Sequence, residues 1–243
     1  MSIAEKLAII AENEPKVFEA GKQERYDEFW NAIQQNGNRT DYQSAFGGVG
    51  WTRDVFKPKY DIKPTFGGST GMFHSMGFEG SLKEHLESIG ITLDVSRITN
   101  SPNMFYNATK ITEVPFLDFS GVVSYIRYLF YSCTSLKTAH IKLGELVTEL
   151  NGLFYSCIAL ENLTVDGVIG VSGFDVHWST KLSRNSILSI LNACTKESAG
   201  VSLTLPKKCI DGSTVTESYI ANDTELNTAL ANATNNGYTI AYS

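Results

Sequence analysis

The chain has 243 residues, of which 42% are hydrophobic and 19% charged, a balance typical of a folded protein rather than a disordered one. Its formal net charge of -6 is diffuse, and no basic cluster marks a surface for phosphate backbones, so we expect no nucleic-acid partner. No stretch approaches the roughly 18 apolar residues needed to span a bilayer, so we expect no membrane insertion.

Residues 1–40 are predicted to form an N-terminal helical segment. Between Ser2 and Glu19, apolar residues recur with the spacing of an amphipathic helix: Ile3, Leu7, Ile10 and Val17. This stripe favours self-association or docking on another protein, although packing against the chain's own aromatic residues would bury it equally well. Charged residues interrupt the stripe, so we expect no signal peptide here. A second helical stretch is predicted over residues 23–35.

Residues 41–80 are rich in glycine and aromatic residues, a composition that predicts irregular structure anchored by rings. Glycine runs at residues 47–50 and 67–71 would let backbone amides approach an anion. Neither run has the lysine of a nucleotide-binding loop, so no cofactor is expected. Loops around Trp51 remain an alternative ligand site, and this segment is also where an active site would lie if the protein were an enzyme.

Residues 81–175 hold a repeated pattern. A capping box at Ser81 predicts a helix that ends at Gly90. A block that starts with Phe-Tyr then occurs at Phe105, Phe130 and Phe154, at offsets of 25 and 24 residues. Because so short a period cannot bury its own apolar face, the blocks must stack. The predicted stacked core is Phe105, Phe130, Phe154, Leu136, Ile141, Leu160, Leu163 and Val165.

The blocks resemble BspA-like leucine-rich repeats, in which Met or Leu precedes Phe, and a Cys and then a Leu lead into each strand. The likeness covers residues 104 to about 170, and Ala108 stands where the first block would have its Cys. It implies an α+β repeat protein: a short leucine-rich-repeat solenoid, with the N-terminal helical segment before it and an α/β cap after it. Such a solenoid would serve receptor binding or protein–protein interaction.

Residues 176–243 are predicted to form this α/β C-terminal cap. Ser183 is a candidate cap for one helix, and Asp223 or Thr224 for another. Strands are predicted at Val201–Leu205 and Tyr238–Tyr242. Because the open end of a stacked array exposes unpaired backbone groups, we expect this region to close it.

Outward positions of the repeated strands are the predicted binding surface, because packing does not constrain them. They align in three columns: Glu113, Thr138 and Asn162; Pro115, His140 and Thr164; Leu117, Lys142 and Asp166. A fourth column is aromatic. The candidate binding residues are Tyr106, Tyr131, Tyr155, Thr138, His140, Asn162 and Thr164. The alternative is that the three tyrosines only pack the edge of the array.

Catalytic and metal-binding patterns are absent from the sequence. The four histidines, His74, His85, His140 and His177, lack the spacing of metal ligands. Cys133 and Cys157 occupy the same position in successive blocks, so we expect buried, reduced and inert thiols. We therefore predict no catalytic residue, no metal and no cofactor, and a protein that is not an enzyme.

Several flanking segments are similar to proteins encoded in phages and prophages of Gram-positive gut bacteria. These segments include Ala4–Leu7, Ala11–Glu14, Phe56–Tyr60 and Trp178–Leu182. The resemblance implies a virion component of the tail or tail tip, made in the bacterial cytoplasm, that binds a host surface glycan or protein. Other virion proteins, or a second copy, would dock through the N-terminal helix. The alternatives are a bacterial surface or secreted leucine-rich-repeat adhesin, or an enzyme.

Overall fold

The structure is a computed structural model that describes residues 44–58, 61–65, 70–197, 200–209, 212 and 214–243. The chain divides into two compact units, residues 1–39 with 58–60, and residues 40–57 with 61–243. The two helices predicted at Ser2–Glu19 and at residues 23–35 lie outside the described residues. All elements below belong to the second unit.

The larger sheet has five parallel strands. They are β1 (Gly80–Ser81), β2 (Ile111–Glu113), β3 (Leu117–Phe119), β4 (Thr138–Leu143) and β5 (Asn162–Gly167). Strand β4 pairs with β2, β3 and β5, and β1 pairs with β2. Burial alternates along β4, because successive side chains of a strand point to opposite faces. One face of the sheet therefore covers the core and the other meets solvent.

Four helices occur among the described residues: α1 (Leu82–Ser88), α2 (Arg184–Asn192), α3 (Thr216–Asn222) and α4 (Thr224–Asn235). Ser81, Ser183 and Asp223 cap α1, α2 and α4, as predicted, by accepting first-turn amide hydrogen bonds. Helix α3 begins without a side-chain cap and was not predicted. A second parallel sheet contains β6 (Phe174–Asp175), β7 (Ser202–Leu205) and β8 (Thr239–Tyr242). None of these helices is long and apolar enough to cross a membrane.

The predicted fold class is wrong. The parallel strands curl into a half-barrel, with the helices in an α/β arrangement, and they do not form a leucine-rich-repeat solenoid. Sequence blocks that repeat indicate which residues stack, but they do not set how the sheet curves. Because only three blocks repeat, flanking helices pack directly on the strands, as α2 does on β5.

Stacked phenylalanine rings form the centre of the core. Five rings stack nearly parallel, with centroids 4.9 to 5.4 Å apart, and a sixth meets the last edge-on at 5.9 Å. In chain order they are Phe46, Phe73, Phe105, Phe130, Phe154 and Phe174, and all are fully buried. The eight residues predicted to form one core are buried too, which confirms that prediction.

Backbone hydrogen bonds join each turn to the next at the same position. The Phe73, Phe105 and Phe130 amides donate to Met104, Leu129 and Leu153 at 2.7, 2.9 and 2.8 Å. Residues with left-handed backbone flank each of these inward phenylalanines and the residue after it, on both sides. They are Gly71, Asn103, Tyr128 and Gly152 before it, and Ser75, Asn107, Ser132 and Ser156 after it. Recurrence of this geometry turns each Phe inward and the next residue outward.

Helix α2 closes the free edge of β5 with two serine hydroxyls. Ser186 Oγ accepts the Leu163 amide, and Ser189 Oγ accepts the Val165 amide, both at 2.8 Å. The same hydroxyls donate to the Glu161 and Val165 carbonyls, at 3.0 and 3.2 Å. These bonds satisfy backbone groups that an adjacent strand would otherwise pair, so β5 is not an open edge.

Candidate functional site

Three tyrosines form a second stack on the outward side of the phenylalanine rings. The Tyr106 and Tyr131 centroids lie 4.9 Å apart with planes 7° from parallel, and those of Tyr131 and Tyr155 lie 4.6 Å apart at 8°. Tyr106 is 37% exposed and Tyr155 40% exposed, in contrast to the buried phenylalanines that precede them. The repeat therefore places an aromatic column in solvent contact.

Two further aromatic residues extend this column. Trp178 meets Tyr155 at 5.4 Å and 61°, and Tyr128 meets Tyr131 edge-on at 5.7 Å and 81°. Trp178 is 40% and Tyr128 41% exposed. We call Tyr106, Tyr131, Tyr155, Trp178 and Tyr128 the aromatic ladder. Sequence reasoning missed Trp178 because it lies outside the repeated blocks, and Tyr128 because the equivalent positions of the other blocks hold Asn103 and Gly152, which are not aromatic.

The central phenol of the ladder, that of Tyr131, is uncharged near neutral pH. Burial, followed by the neighbouring phenols of Tyr155 and Tyr106, raises the pKa of the Tyr131 phenol above its ordinary value. A neutral phenol both donates and accepts hydrogen bonds. The ladder therefore offers apolar ring edges together with hydroxyl groups, a combination enriched at protein interfaces.

The predicted strand residues align in register on the outer face of the sheet. Thr138 pairs with Asn162, and His140 with Thr164. His140 Nε2 lies 2.7 Å from Asp166 Oδ2, and its ring lies 4.5 Å from that of Phe116. These contacts give His140 partners within the protein.

The third predicted column contains an error at its first member. Glu113 pairs with Thr138, but Leu117 pairs with Ile141, so one extra residue lies between β2 and β3. A slip of one residue exchanges the faces of a strand. Leu117 is therefore buried, Asp118 stands beside Lys142, and Phe116, which the sequence pattern places inward, is 44% exposed.

The structure divides the candidate residues between two surfaces. Ring contacts of the described residues join the tyrosines to one another and to Trp178. Among the strand candidates, His140 contacts Asp166 and Phe116. None of these contacts joins Tyr106, Tyr131 or Tyr155 to the four strand candidates. A single composite site is therefore not formed by direct contacts.

The alternative site around Trp51 is a packed aromatic cluster. Trp51 lies edge-on against Phe46 and Phe56, with centroids 5.4 and 6.1 Å away. Phe46 and Phe56 are fully buried, and His85 Nε2 lies 2.5 Å from the Phe56 carbonyl oxygen. These rings build the core beneath α1 rather than a ligand-lined loop.

The repeated cysteines occupy the interior. Cys133 Sγ donates to the Phe105 carbonyl at 3.0 Å, and Cys157 Sγ to the Phe130 carbonyl at 3.1 Å. Burial raises the pKa of Cys157 to about 12 and that of Cys133 well above its ordinary value. Both are free thiols in the structure and stay protonated, the form that is poorly nucleophilic.

Fold and surface together define an α/β protein that displays an ordered stripe of exposed aromatic rings. In the part of the chain that the structure describes, no three His, Cys, Asp or Glu side chains are grouped to hold a metal ion. Comparisons with family models, curated proteins and solved structures find no match to this chain.

Proposed function

We propose that this is a non-enzymatic binding protein whose aromatic ladder contacts a glycan or protein on the surface of a host cell. The observation that carries the proposal is the continuous column of exposed rings, with Tyr106, Tyr155, Trp178 and Tyr128 each 37 to 41% exposed. Exposed aromatic side chains that cluster and lie in fixed positions are typical of binding hot spots.

Stabilisation of the fold is a weaker explanation for the exposed rings of the ladder. In every repeated turn the buried phenylalanine already supplies the stacking contact, and the tyrosine that follows is left partly in water. The three stacked tyrosine rings are also held before any partner arrives, since Tyr131 lies less than 5 Å from both Tyr106 and Tyr155. Rigid aromatic residues lose little conformational entropy on binding, so they provide contact area efficiently.

A place in a phage particle is the second part of the proposal, and its support is the resemblance of the flanking segments to phage and prophage proteins. A tail or tail-tip component would carry the ladder to the host surface. Mass spectrometry of particles purified from a lysogen that encodes the chain tests this. Peptides of the chain at constant ratio to tail proteins through a density gradient are expected; peptides only in the cell-wall fraction would favour an adhesin instead.

The binding role is tested by replacing Tyr131 and Tyr155 with Ala in one chain. Binding to cell-wall material from a panel of Gram-positive gut bacteria is measured by pull-down and by biolayer interferometry. Loss of two stacked rings is expected to weaken binding at least about tenfold, the size of a hot-spot effect. Circular dichroism and thermal unfolding establish that the variant is folded.

The matched control replaces Thr138 and Thr164 with Ala, which removes two candidates from the other surface and leaves the ladder intact. This control is expected to bind as the unaltered chain does. The Tyr131→Phe/Tyr155→Phe pair separates ring stacking from hydroxyl bonding, because it keeps the rings. Undiminished binding by a folded double-alanine variant, or loss only in the threonine control, would remove the ladder as the binding surface.

A further inference from the structure

At the Tyr106 end of the aromatic ladder, one ring face meets no other ring of the described residues. Inside the ladder, Tyr131 lies between Tyr106 and Tyr155, so both of its faces are covered. At the far end, Trp178 lies against Tyr155. Tyr106 contacts only Tyr131 among the rings of the described residues. A flat ligand can therefore stack on this ring face of Tyr106.

His74 occupies the ladder position in the preceding turn, but its ring is turned away. The amide of Ser75 donates to the Tyr106 carbonyl at 2.6 Å, which shows that the two turns are adjacent. The imidazole lies instead over Gly47, where an added Cβ would fall 2.1 Å from His74 Cε1. Nδ1 of His74 is held 2.7 Å from the Gly71 carbonyl oxygen. The absence of a side chain at Gly47 thus makes room for the ring.

A cleft of about 290 Å³ remains beside Tyr106. Its lining residues are Ser44, Thr70, Gly71, His74, Asn103 and Tyr106. This volume is near the lower end of the range for small-molecule sites, so it suits one compact ring rather than a long chain. The amides of Gly71 and Asn103 donate to the next turn at 3.0 and 2.8 Å, so the walls are formed before a ligand arrives.

The chemistry of the lining selects the ligand class. None of the six lining residues carries a carboxylate, ammonium or guanidinium group. They offer the hydroxyl of Ser44, the amide of Asn103 and the phenol of Tyr106 beside an aromatic face. An exposed aromatic plane with neutral donors and acceptors at its rim matches a molecule that has one apolar face and a hydroxyl-rich edge. A pyranose has this character, and the six lining residues hold no ammonium or guanidinium group to pair with an acidic sugar.

We infer that the cleft between His74 and Tyr106 binds one neutral pyranose unit of a surface glycan, stacked on the face of Tyr106 that is turned away from Tyr131. This rests on the proposed function in that the sugar continues the same ladder. Because Tyr106 stands at the end of the tyrosine stack, the direction of the glycan along the ladder is fixed. One sugar residue enters the cleft, and the following residues lie along Tyr131 and Tyr155.

Saturation-transfer NMR on the full chain tests the inference with methyl glycosides of glucose, galactose, mannose and N-acetylglucosamine. Saturation transfer to at least one of them is expected, with a dissociation constant of roughly 1 mM for so small a contact. Methyl glucuronide, an acidic probe, is expected to show none. Absence of transfer to all four neutral glycosides, or stronger transfer to the acidic one, would overturn the inference.

Three variants locate the site. Tyr106→Ala removes the ring face and should weaken glycoside binding about tenfold. Tyr106→Phe keeps the face and should retain most of the affinity. Ser218→Ala, on the exposed side of α3 and outside both proposed surfaces, should leave it unchanged. If Tyr106→Ala does not fold, His74→Ala provides the test, because it leaves the contact of Tyr106 with Tyr131 in place and alters the opposite wall. Unchanged affinity in the folded cleft variant contradicts the inference.

The two proposals fail in different ways. Cell-wall binding that depends on Tyr131 and Tyr155, without any glycoside binding at Tyr106, would leave the ladder as a binding surface and remove the sugar cleft. Glycoside binding that depends on Tyr106, together with cell-wall binding that is indifferent to Tyr131 and Tyr155, would keep the cleft and remove the ladder's proposed role.

Discussion

The repeated turns between residues 70 and 167 and the C-terminal region from Phe174 to Ser243 are built on different principles. In the repeated turns the same contacts recur in each turn, namely a stacked phenylalanine and an amide bond to the following turn. In the C-terminal region each contact occurs once. Arg184, for example, bonds Asp223 at 2.7 and 2.9 Å and Glu225 at 2.6 Å.

This difference shows which stabilising contacts of the structure are redundant. A turn that loses one contact keeps identical contacts above and below it, and the aromatic ladder inherits that regular support. At the edge of β5, by contrast, the amides of Leu163 and Val165 donate to the hydroxyls of Ser186 and Ser189, which belong to no repeat. Substitutions in the two regions should therefore differ in size and in what they affect.

The largest effect is expected for Phe130→Ala. The side chain is fully buried and stacks on Phe105 and Phe154, so the substitution leaves a large cavity between two rings. We expect a loss of about 3 to 5 kcal/mol in the free energy of unfolding, measured by urea denaturation.

Two controls sharpen this prediction. Tyr131→Ala, one residue further on and half-buried, should cost roughly 1 kcal/mol. Phe174→Ala should cost about 1 kcal/mol less than Phe130→Ala, because among the described phenylalanines its ring meets Phe154 alone, edge-on. Equal losses for Phe130 and Tyr131 would contradict the division into an inner structural stack and an outer exposed one.

A middle-sized effect is expected for Ser186→Ala. The amide of Leu163, on a buried strand residue, then has no acceptor, and an unsatisfied buried donor costs about 1 to 3 kcal/mol. Ser218→Ala, on the exposed side of α3, is the matched control and should change stability by less than about 0.5 kcal/mol. If both serines behave alike in chemical denaturation, α2 does not hold the edge of β5 as described.

The smallest expected effect is on the thermal stability of the protein at low pH. Hydrogen bonds from Arg184 and from the Leu226 amide lower the pKa of Asp223 to about 2, below its value of about 3.9 in an unfolded chain. A depressed carboxyl pKa contributes stability above the unfolded pKa, and the contribution disappears as the pH falls from about 4 towards 2. The melting temperature should fall through this window, and less steeply in Arg184→Met than in the unaltered chain. Parallel curves would show that the ion pair contributes nothing.

Local chemistry in the sequence predicts part of this structure well. The capping residues Ser81, Ser183 and Asp223 each start a helix, because a short polar side chain before an apolar stripe satisfies free amides. The repeated Phe-Tyr pair likewise predicts which rings are buried. Both signals lie within a few residues of the feature that they specify.

Longer-range features escaped prediction for physical reasons. The first block is one residue longer than the second, which signals an insertion, but block lengths do not say where the extra residue sits; the structure puts it between Glu113 and Leu117. Curvature of the sheet depends on how helices pack on it, which no repeat encodes. Trp178 joins the ladder from a segment without any repeated motif.

Footprinting by hydroxyl radicals tests the central claim, that the aromatic ladder is a binding surface, most directly. The full chain is labelled alone and when bound to cell-wall material, and modification of each aromatic residue is read by mass spectrometry. Tyr219, on α3, serves as the internal reference. We predict that cell-wall material protects Tyr106, Tyr155 and Trp178 from modification, while the modification of Tyr219 stays unchanged. Equal modification of the ladder in the free and bound protein would contradict it.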